Sequence, residues 1–121
     1  MKKRTIRKIL GGFKSYVPGG VSIHGTGGTD SARYCYTIWL RHLSMLHQNG
    51  FSKIPNTIAE LGPGDSIGTG LAGLLSGSEK FYALDVIEHT HVKKNIPIFD
   101  ELVSLFADRS ALPGDDEFPR A

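Results

Sequence analysis

The chain has 121 residues, 40% of them hydrophobic, and a formal net charge of +2 at neutral pH. This length allows one small domain with its own core, and so small a charge gives no strong indication of a nucleic-acid partner. No stretch is long and apolar enough to span a bilayer, and the single cysteine cannot form an internal disulfide, so we expect a cytoplasmic protein without a membrane span.

Residues 1–29 are interpreted as a basic and glycine-rich leader. The charged residues among the first 14 are all Lys or Arg, and glycines recur throughout residues 11–28 without an apolar period. Such a composition predicts loop structure. A basic segment can contact phosphates or anionic lipid, but aromatic residues do not interleave with these charges as they do on a single-strand-binding surface. We therefore interpret the leader as a solvated terminus.

A helix is predicted from Ser31 to Gln48. Thr29 and Asp30 are suitable N-cap residues, apolar residues then recur at steps of three and four, and a glycine follows shortly after the last of them. We expect the apolar stripe of this helix to be buried. Cys35 lies within the pattern and is expected to act as a small buried apolar residue rather than as a reactive thiol.

A strand, a helix and a second strand are predicted next. The run "TIAEL" predicts a buried strand that ends at Gly62. The segment from Asp65 to Ser76 has helical spacing and stops at Gly77, and its internal glycines indicate a closely packed neighbour. The near-continuous apolar run "KFYALDVI" is typical of a strand buried on both faces of a parallel sheet. A right-handed crossover would make the two strands parallel neighbours.

The last predicted element is an amphipathic helix that contains Ile98, Leu102 and Leu105 along one line. Pro97 is acceptable only in the first turn of a helix, so the helix is expected to begin close to it. The sequence from Pro113 onward is polar and rich in turn residues. The chain is thus divided into the leader over residues 1–29, an α/β domain over residues 30–110 and a polar tail over residues 111–121.

The segment "AELGPGDSIGTG", residues 59–70, permits two interpretations. Residues 64–68 match G-x-S-x-G, the turn that presents a nucleophilic serine, here Ser66. Alternatively, Gly62 and Gly64 lie where a strand ends and a helix begins, so that a ligand can approach the backbone and the helix N-terminus. Asp85 follows about 20 residues later, at the spacing of an acid that binds ribose hydroxyls.

The nucleotide-like interpretation is favoured. A serine hydrolase needs a base and a positioned acid, and His89 and His91 follow the second strand without such an acid. Ile67 occupies the position where the dinucleotide fingerprint has glycine or alanine, and the Gly-Lys-Ser/Thr of a P-loop is lacking. A ligand with an adenosine and no pyrophosphate remains, and an acid at Glu60 suits a cationic group.

With these residues in view, "IAELGPGDSIG" followed by "FYALDV" resembles the first two motifs of class I S-adenosylmethionine-dependent methyltransferases. The stretches "WLRHL" and "LAGLLSG" are similar to the start of a bacterial subgroup of these enzymes, and the resemblance covers about residues 30–106. It implies an incomplete Rossmann-like methyltransferase fold, in which a leading helix is followed by a βαβα unit with parallel strands. Residues 30–110 would then form part of a cofactor-binding α/β domain.

The same resemblance implies the residues that hold the cofactor, S-adenosyl-L-methionine. Glu60, Gly62 and Gly64, with Pro63 between the glycines, would shape the pocket for the methionine part. Asp85 would bind the ribose. The third glycine of the family's first motif is replaced by a serine in this chain, a departure at the point of closest backbone approach.

The resemblance further implies that the chain corresponds to the N-terminal portion of such an enzyme. The family's sheet has seven strands, and those that contact adenine and the methyl acceptor come later. We therefore assign no catalytic residue and no acceptor, and we expect weak or undetectable cofactor binding and no activity from the chain alone. The leading helix is expected to cover the cofactor, behind a mobile glycine-rich segment. A non-catalytic interaction module that recruits a partner through the basic leader is a third hypothesis.

Overall fold

The computed structural model describes residues 28–112, which form an α/β arrangement of three helices and two parallel strands. The elements are α1 (Ala32–Gln48), β1 (Thr57–Leu61), α2 (Gly68–Leu75), β2 (Lys80–Leu84) and α3 (Val92–Ala107). The predicted order of elements and the parallel pairing are confirmed. Most of the leader and most of the polar tail lie outside the described residues. None of these three helices combines the length and apolarity needed to cross a bilayer.

Helix α1 begins one residue later than predicted and has a different cap. Ser31 is the N-cap, with an extended backbone (φ −107°, ψ 121°), and its side-chain oxygen accepts a hydrogen bond from the Tyr34 N–H at 3.2 Å. Neither Thr29 nor Asp30, the expected caps, is the N-cap of this helix, because only Ser31 places its side-chain oxygen over the first turn. At the other end, Gly50 follows the helix with a φ of +89°, as expected for a helix C-terminus.

The two strands have one covered and one exposed face. The parallel register pairs Ile58 with Phe81 and Glu60 with Ala83. Because register partners in adjacent strands point to the same side of a sheet, these four residues share one face. Ile58 and Phe81 contact α2 on that face. The helices therefore cover the side of the sheet to which Glu60 also belongs.

The prediction that both strands are buried is wrong for the opposite face. Leu61 is 82% exposed, and Tyr82 and Leu84 are each 53% exposed. Continuous apolar runs are typical of parallel strands with a helical layer on each side. Within residues 28–112 the helices supply one such layer only, so the apolar side chains of the other face remain in contact with solvent.

Helix α2 packs unusually close to the sheet. A Cβ atom added at Gly70 would lie 2.2 Å from two ring carbons of Phe81, and one added at Gly73 would lie 2.2 Å from Cδ1 of Ile58. Side chains at these positions would occupy space already filled by the strands. The expectation that the helix glycines mark a close neighbour is confirmed, and this contact offsets their lower helix propensity, about 1 kcal/mol each relative to alanine.

The core lies between the three helices and the covered face of the sheet. Its buried apolar residues come from all three helices: Ala32, Tyr36, Trp39, Ala72, Ile98 and Leu102. The polar atoms of its aromatic residues are paired, since Trp39 Nε1 donates to Ser76 Oγ at 2.7 Å and the Tyr36 hydroxyl donates to the Ser110 carbonyl at 2.7 Å. These bonds join α1 to the end of α2 and to the segment after α3.

Helix α3 begins earlier than the sequence indicates. Its N-cap is His91, whose carbonyl accepts the Lys94 and Asn95 N–H groups, so that Pro97 lies in the second turn and not in the first. A proline there removes one backbone hydrogen bond. The sequence pattern missed this start because the apolar line of the helix begins only at Ile98, a buried residue in the second turn of the helix.

The close packing of α2 generates a prediction for Gly70→Ala. Overpacking in a filled site costs about 1–3 kcal/mol, and the better helix propensity of alanine returns about 1 kcal/mol. We expect a net loss in the free energy of unfolding, measured by urea denaturation. Gly73→Ala is the comparison variant and should lose less free energy of unfolding. The single severe contact of its added Cβ is with Cδ1 of Ile58, which can move away when the Ile58 side chain changes rotamer.

Replacing the ring of Phe81, which faces Gly70, with a smaller side chain provides the control for this prediction. In a Phe81→Leu background, Gly70→Ala should destabilise less than it does in the natural chain, since the ring it would strike is gone. Equal losses in both backgrounds would contradict the proposed close contact.

Candidate functional site

The site begins with the tight turn of residues 62–67, between β1 and α2. Gly62 and Gly64 adopt φ values of +69° and +78°, a region that residues with a side chain rarely occupy. The Gly62 N–H donates to the Leu84 carbonyl at 2.7 Å, which extends the pairing of the two strands by one residue. Pro63 and Gly64 are buried. The turn therefore lies at the carboxyl edge of the sheet, beside the end of β2.

A cleft of about 260 Å³ opens at this edge. It is lined by residues of the turn, of β2 and of the loop that follows β2: Pro63, Gly64, Ala83, Asp85, Glu88, His89 and Thr90. The structure thus brings Asp85 and Gly64 together, as the sequence spacing indicates. The carboxyl edge of neighbouring parallel strands is where open α/β sheets commonly bind ligands.

The carboxylate of Asp85 is exposed and oriented by its own loop. Its Oδ1 accepts hydrogen bonds from the Val86 N–H at 2.7 Å and from the Ile87 N–H at 3.4 Å. Local bonds of this kind, from an aspartate to the backbone just after it, fix a turn without help from distant residues. The negative charge is therefore held at the rim of the cleft.

Glu60 is placed differently from the other predicted site residues. It does not line the cleft, but its register partner Ala83 does, so the Glu60 side chain lies beside the cleft on the covered face. Its Oε2 is buried and has no hydrogen-bond partner among residues 28–112. Burial raises the pKa of the Glu60 carboxyl above its ordinary value, and a hydrogen bond with Thr69 opposes this shift. A buried acid in this state is costly unless a partner is supplied.

Ser66, the nucleophile of the alternative interpretation, has a structural role. It is 1% exposed, its hydroxyl donates to the Thr29 carbonyl, and its Oγ accepts the Gly68 N–H at 3.0 Å. The Asp65 N–H donates to the Thr29 hydroxyl at 3.0 Å. These bonds hold residues 65 and 66 outside the helix, which is why α2 begins at Gly68 and not at the predicted Asp65.

Cys35 lies against the same turn and is inert. Its side chain is fully buried, and its thiol donates to the Thr29 carbonyl at 3.6 Å. Burial, the largest effect, raises the pKa of the thiol to about 11. A thiol with such a pKa is almost wholly protonated at neutral pH and is a poor nucleophile. The prediction of a small buried residue is confirmed.

Sequence reasoning missed Asn95, which connects the end of the glycine turn to the loop that follows β2. Its Oδ1 accepts the Ile67 N–H at 3.1 Å, and its Nδ2 donates to Thr90 Oγ1 at 2.9 Å. In addition, Lys94 Nζ lies 3.7 Å from Asp65 Oδ1. No local signal marks Asn95, because its partner Ile67 is 28 residues away along the chain.

Comparisons of the chain with known protein families, with curated proteins and with solved structures gave no match. The assignment of a function therefore depends on the residues of the site and on the resemblance of its motifs.

The buried Oε2 of Glu60, which has no hydrogen-bond partner among residues 28–112, generates a prediction for Glu60→Gln. The folded chain binds the Glu60 proton more tightly than the unfolded chain, so stability falls as the pH rises above the ordinary pKa of 4.5. Glutamine carries no charge and removes this loss. We expect Glu60→Gln to unfold at higher urea concentration than the natural chain at neutral pH, with the difference vanishing in acid, where the glutamate is protonated in both states.

Glu101→Gln, on the exposed side of α3, is the matched control and should unfold at about the same urea concentration as the natural chain at neutral pH. A Glu60→Gln variant that is less stable than the natural chain at neutral pH would show that the carboxylate is well paired.

Proposed function

We propose that the cleft binds S-adenosyl-L-methionine and that the chain carries part of the cofactor pocket of a class I methyltransferase. One observation carries the proposal: Gly64 and Asp85, which belong to different motifs of the sequence, line the same cleft at the carboxyl edge of two adjacent parallel strands. An adenosine ligand needs this combination of a bare backbone turn and a carboxylate one strand away.

The described residues fit the cofactor in three respects. Gly64, at a positive φ, presents a backbone position without a side chain to the cleft, against which a ligand can lie. Asp85 offers a carboxylate at the rim, suited to two adjacent ribose hydroxyls. Glu60 has a buried, unpaired oxygen beside the cleft, and the ammonium group of the methionine part would supply the cation that this oxygen lacks.

The chemistry that the cofactor supplies is an activated methyl group on its sulfonium sulfur. The residues of this chain would bind and orient the cofactor, and alignment accounts for much of the catalysis of such a transfer. Asp85 would hold the ribose, and Glu60 would hold the ammonium group. Neither needs to move a proton.

The serine-hydrolase alternative is disfavoured by the same structure. A nucleophilic serine at such a turn is exposed and hydrogen-bonded to a base. Ser66 is buried, and its hydroxyl donates to a backbone carbonyl. Labelling of Ser66 by a fluorophosphonate would reverse this judgement.

The proposal predicts weak binding of S-adenosylhomocysteine, the demethylated cofactor, by the chain itself. Titration of the isotope-labelled chain, followed by amide chemical shifts, should show saturable changes concentrated at residues that line the cleft, such as Gly64, Asp85 and His89. Hydrogen bonds to a charged group are worth about 1.5–3 kcal/mol, so Asp85→Ala should weaken binding by roughly tenfold or more.

Asp100→Ala, which removes an exposed aspartate from α3, is the matched control and should bind like the natural chain. The proposal fails if no shifts saturate, if they arise outside the cleft, or if Asp85→Ala binds as well as the control.

A further inference from the structure

We propose that Asn95 is a positioning residue, which holds the glycine turn and the loop after β2 in the relative placement that forms the cleft, and which thereby sets the affinity of the site. That Asn95 holds the glycine turn and the loop after β2 together is inferred from its hydrogen bonds. The effect on affinity rests on the proposed function.

The hydrogen bonds of Asn95 reach the glycine turn and the loop after β2, the two segments that contribute residues to the cleft. A backbone N–H can only donate, so the atom that faces the Ile67 N–H must be the amide oxygen of Asn95, which fixes the orientation of the side chain. The amide nitrogen then points to Thr90 Oγ1, at 2.9 Å. Ile67 is the last residue of the turn, and Thr90 lines the cleft. One side chain therefore bonds to residues of both segments.

The neighbouring ion pair is a weaker connection between the same parts. Lys94 and Asp65 approach to 3.7 Å, and the Lys94 side chain is 52% exposed. Exposed ion pairs at such a distance contribute little, because solvent screens them and the long side chain loses freedom. The Asn95 bonds are shorter and partly buried, so they constrain the cleft more strongly.

The residue type is informative as well. Asparagine within a helix is less favourable than alanine, since its amide competes for the backbone. Asn95 is the fourth residue of α3, and its amide bonds outside the helix instead. Aspartate at this position would keep an acceptor for both Ile67 and the Thr90 hydroxyl, whereas alanine would keep neither bond.

The first test measures amide hydrogen exchange in the full chain without ligand. In Asn95→Ala we expect the Ile67 N–H to exchange roughly tenfold faster, the change that corresponds to one lost hydrogen bond. Asn95→Asp should restore the natural rate. Amides in the middle of α1, such as that of Trp39, should be unaffected, which separates a local release of the turn from general destabilisation.

Asn49→Ala is the matched control, because Asn49 also bonds through its side chain to a backbone group, the Met45 carbonyl, but at the far end of α1. If Asn95→Ala proves too unstable to study, Thr90→Val removes the second bond without altering the helix and should also speed Ile67 exchange, by a smaller factor. Unchanged Ile67 exchange in the variant studied would overturn the inference.

The second test repeats the S-adenosylhomocysteine titration with these variants. We expect several-fold weaker binding by Asn95→Ala and near-natural binding by Asn95→Asp and Asn49→Ala. If the natural chain binds and Asn95→Ala binds equally well, the role of Asn95 in affinity is overturned while the proposed function stands. If Ile67 exchange rises as expected but the natural chain binds nothing, the proposed function fails and the structural connection stands.

Discussion

The close contact between α2 and the two strands is the constraint on which the rest of the structure depends. Gly70 leaves room for the Phe81 ring, so the helix lies almost on the sheet and its first turn is brought to the carboxyl edge. The short turn of residues 62–67 can then connect β1 to α2, and the crossover returns β2 parallel to β1. Asp85 consequently lies next to Gly62, because the Gly62 N–H donates to the carbonyl of Leu84, the residue before Asp85.

The same arrangement buries part of the Glu60 carboxyl, which stability alone does not favour. Glu60 has a buried oxygen without a partner in residues 28–112, on the covered face next to the cleft. Local rules of folding are commonly broken at functional sites, where the cost is offset elsewhere in the domain. Here the mutual packing of the three helices around Trp39 and Leu102 supplies the offset. The proposed cationic ligand would give this oxygen the partner that the described residues do not supply.

The order of elements, the parallel pairing and the approach of Asp85 to the turn could be predicted because they follow from local signals: apolar runs, a glycine turn and a fixed spacing. The N-cap of α1 could not, since Thr29, Asp30 and Ser31 are chemically similar, and the bonds of Thr29 to the distant turn decide among them. The bond from Asn95 to Ile67 is also long-range and leaves no local pattern. The apolar strands indicated burial on both faces, but exposure depends on what covers the sheet, which a strand's own residues do not specify.

We propose that an adenosine-containing ligand lies between the glycine turn and the end of β2. The most direct measurement is the set of intermolecular nuclear Overhauser effects between S-adenosylhomocysteine and the chain. If the ligand binds there, the ribose protons should contact the α-protons of Gly64 and the methyl group of Ala83, both of which line the cleft. Ribose contacts to Leu61 or Leu84, on the exposed face of the sheet, would contradict it.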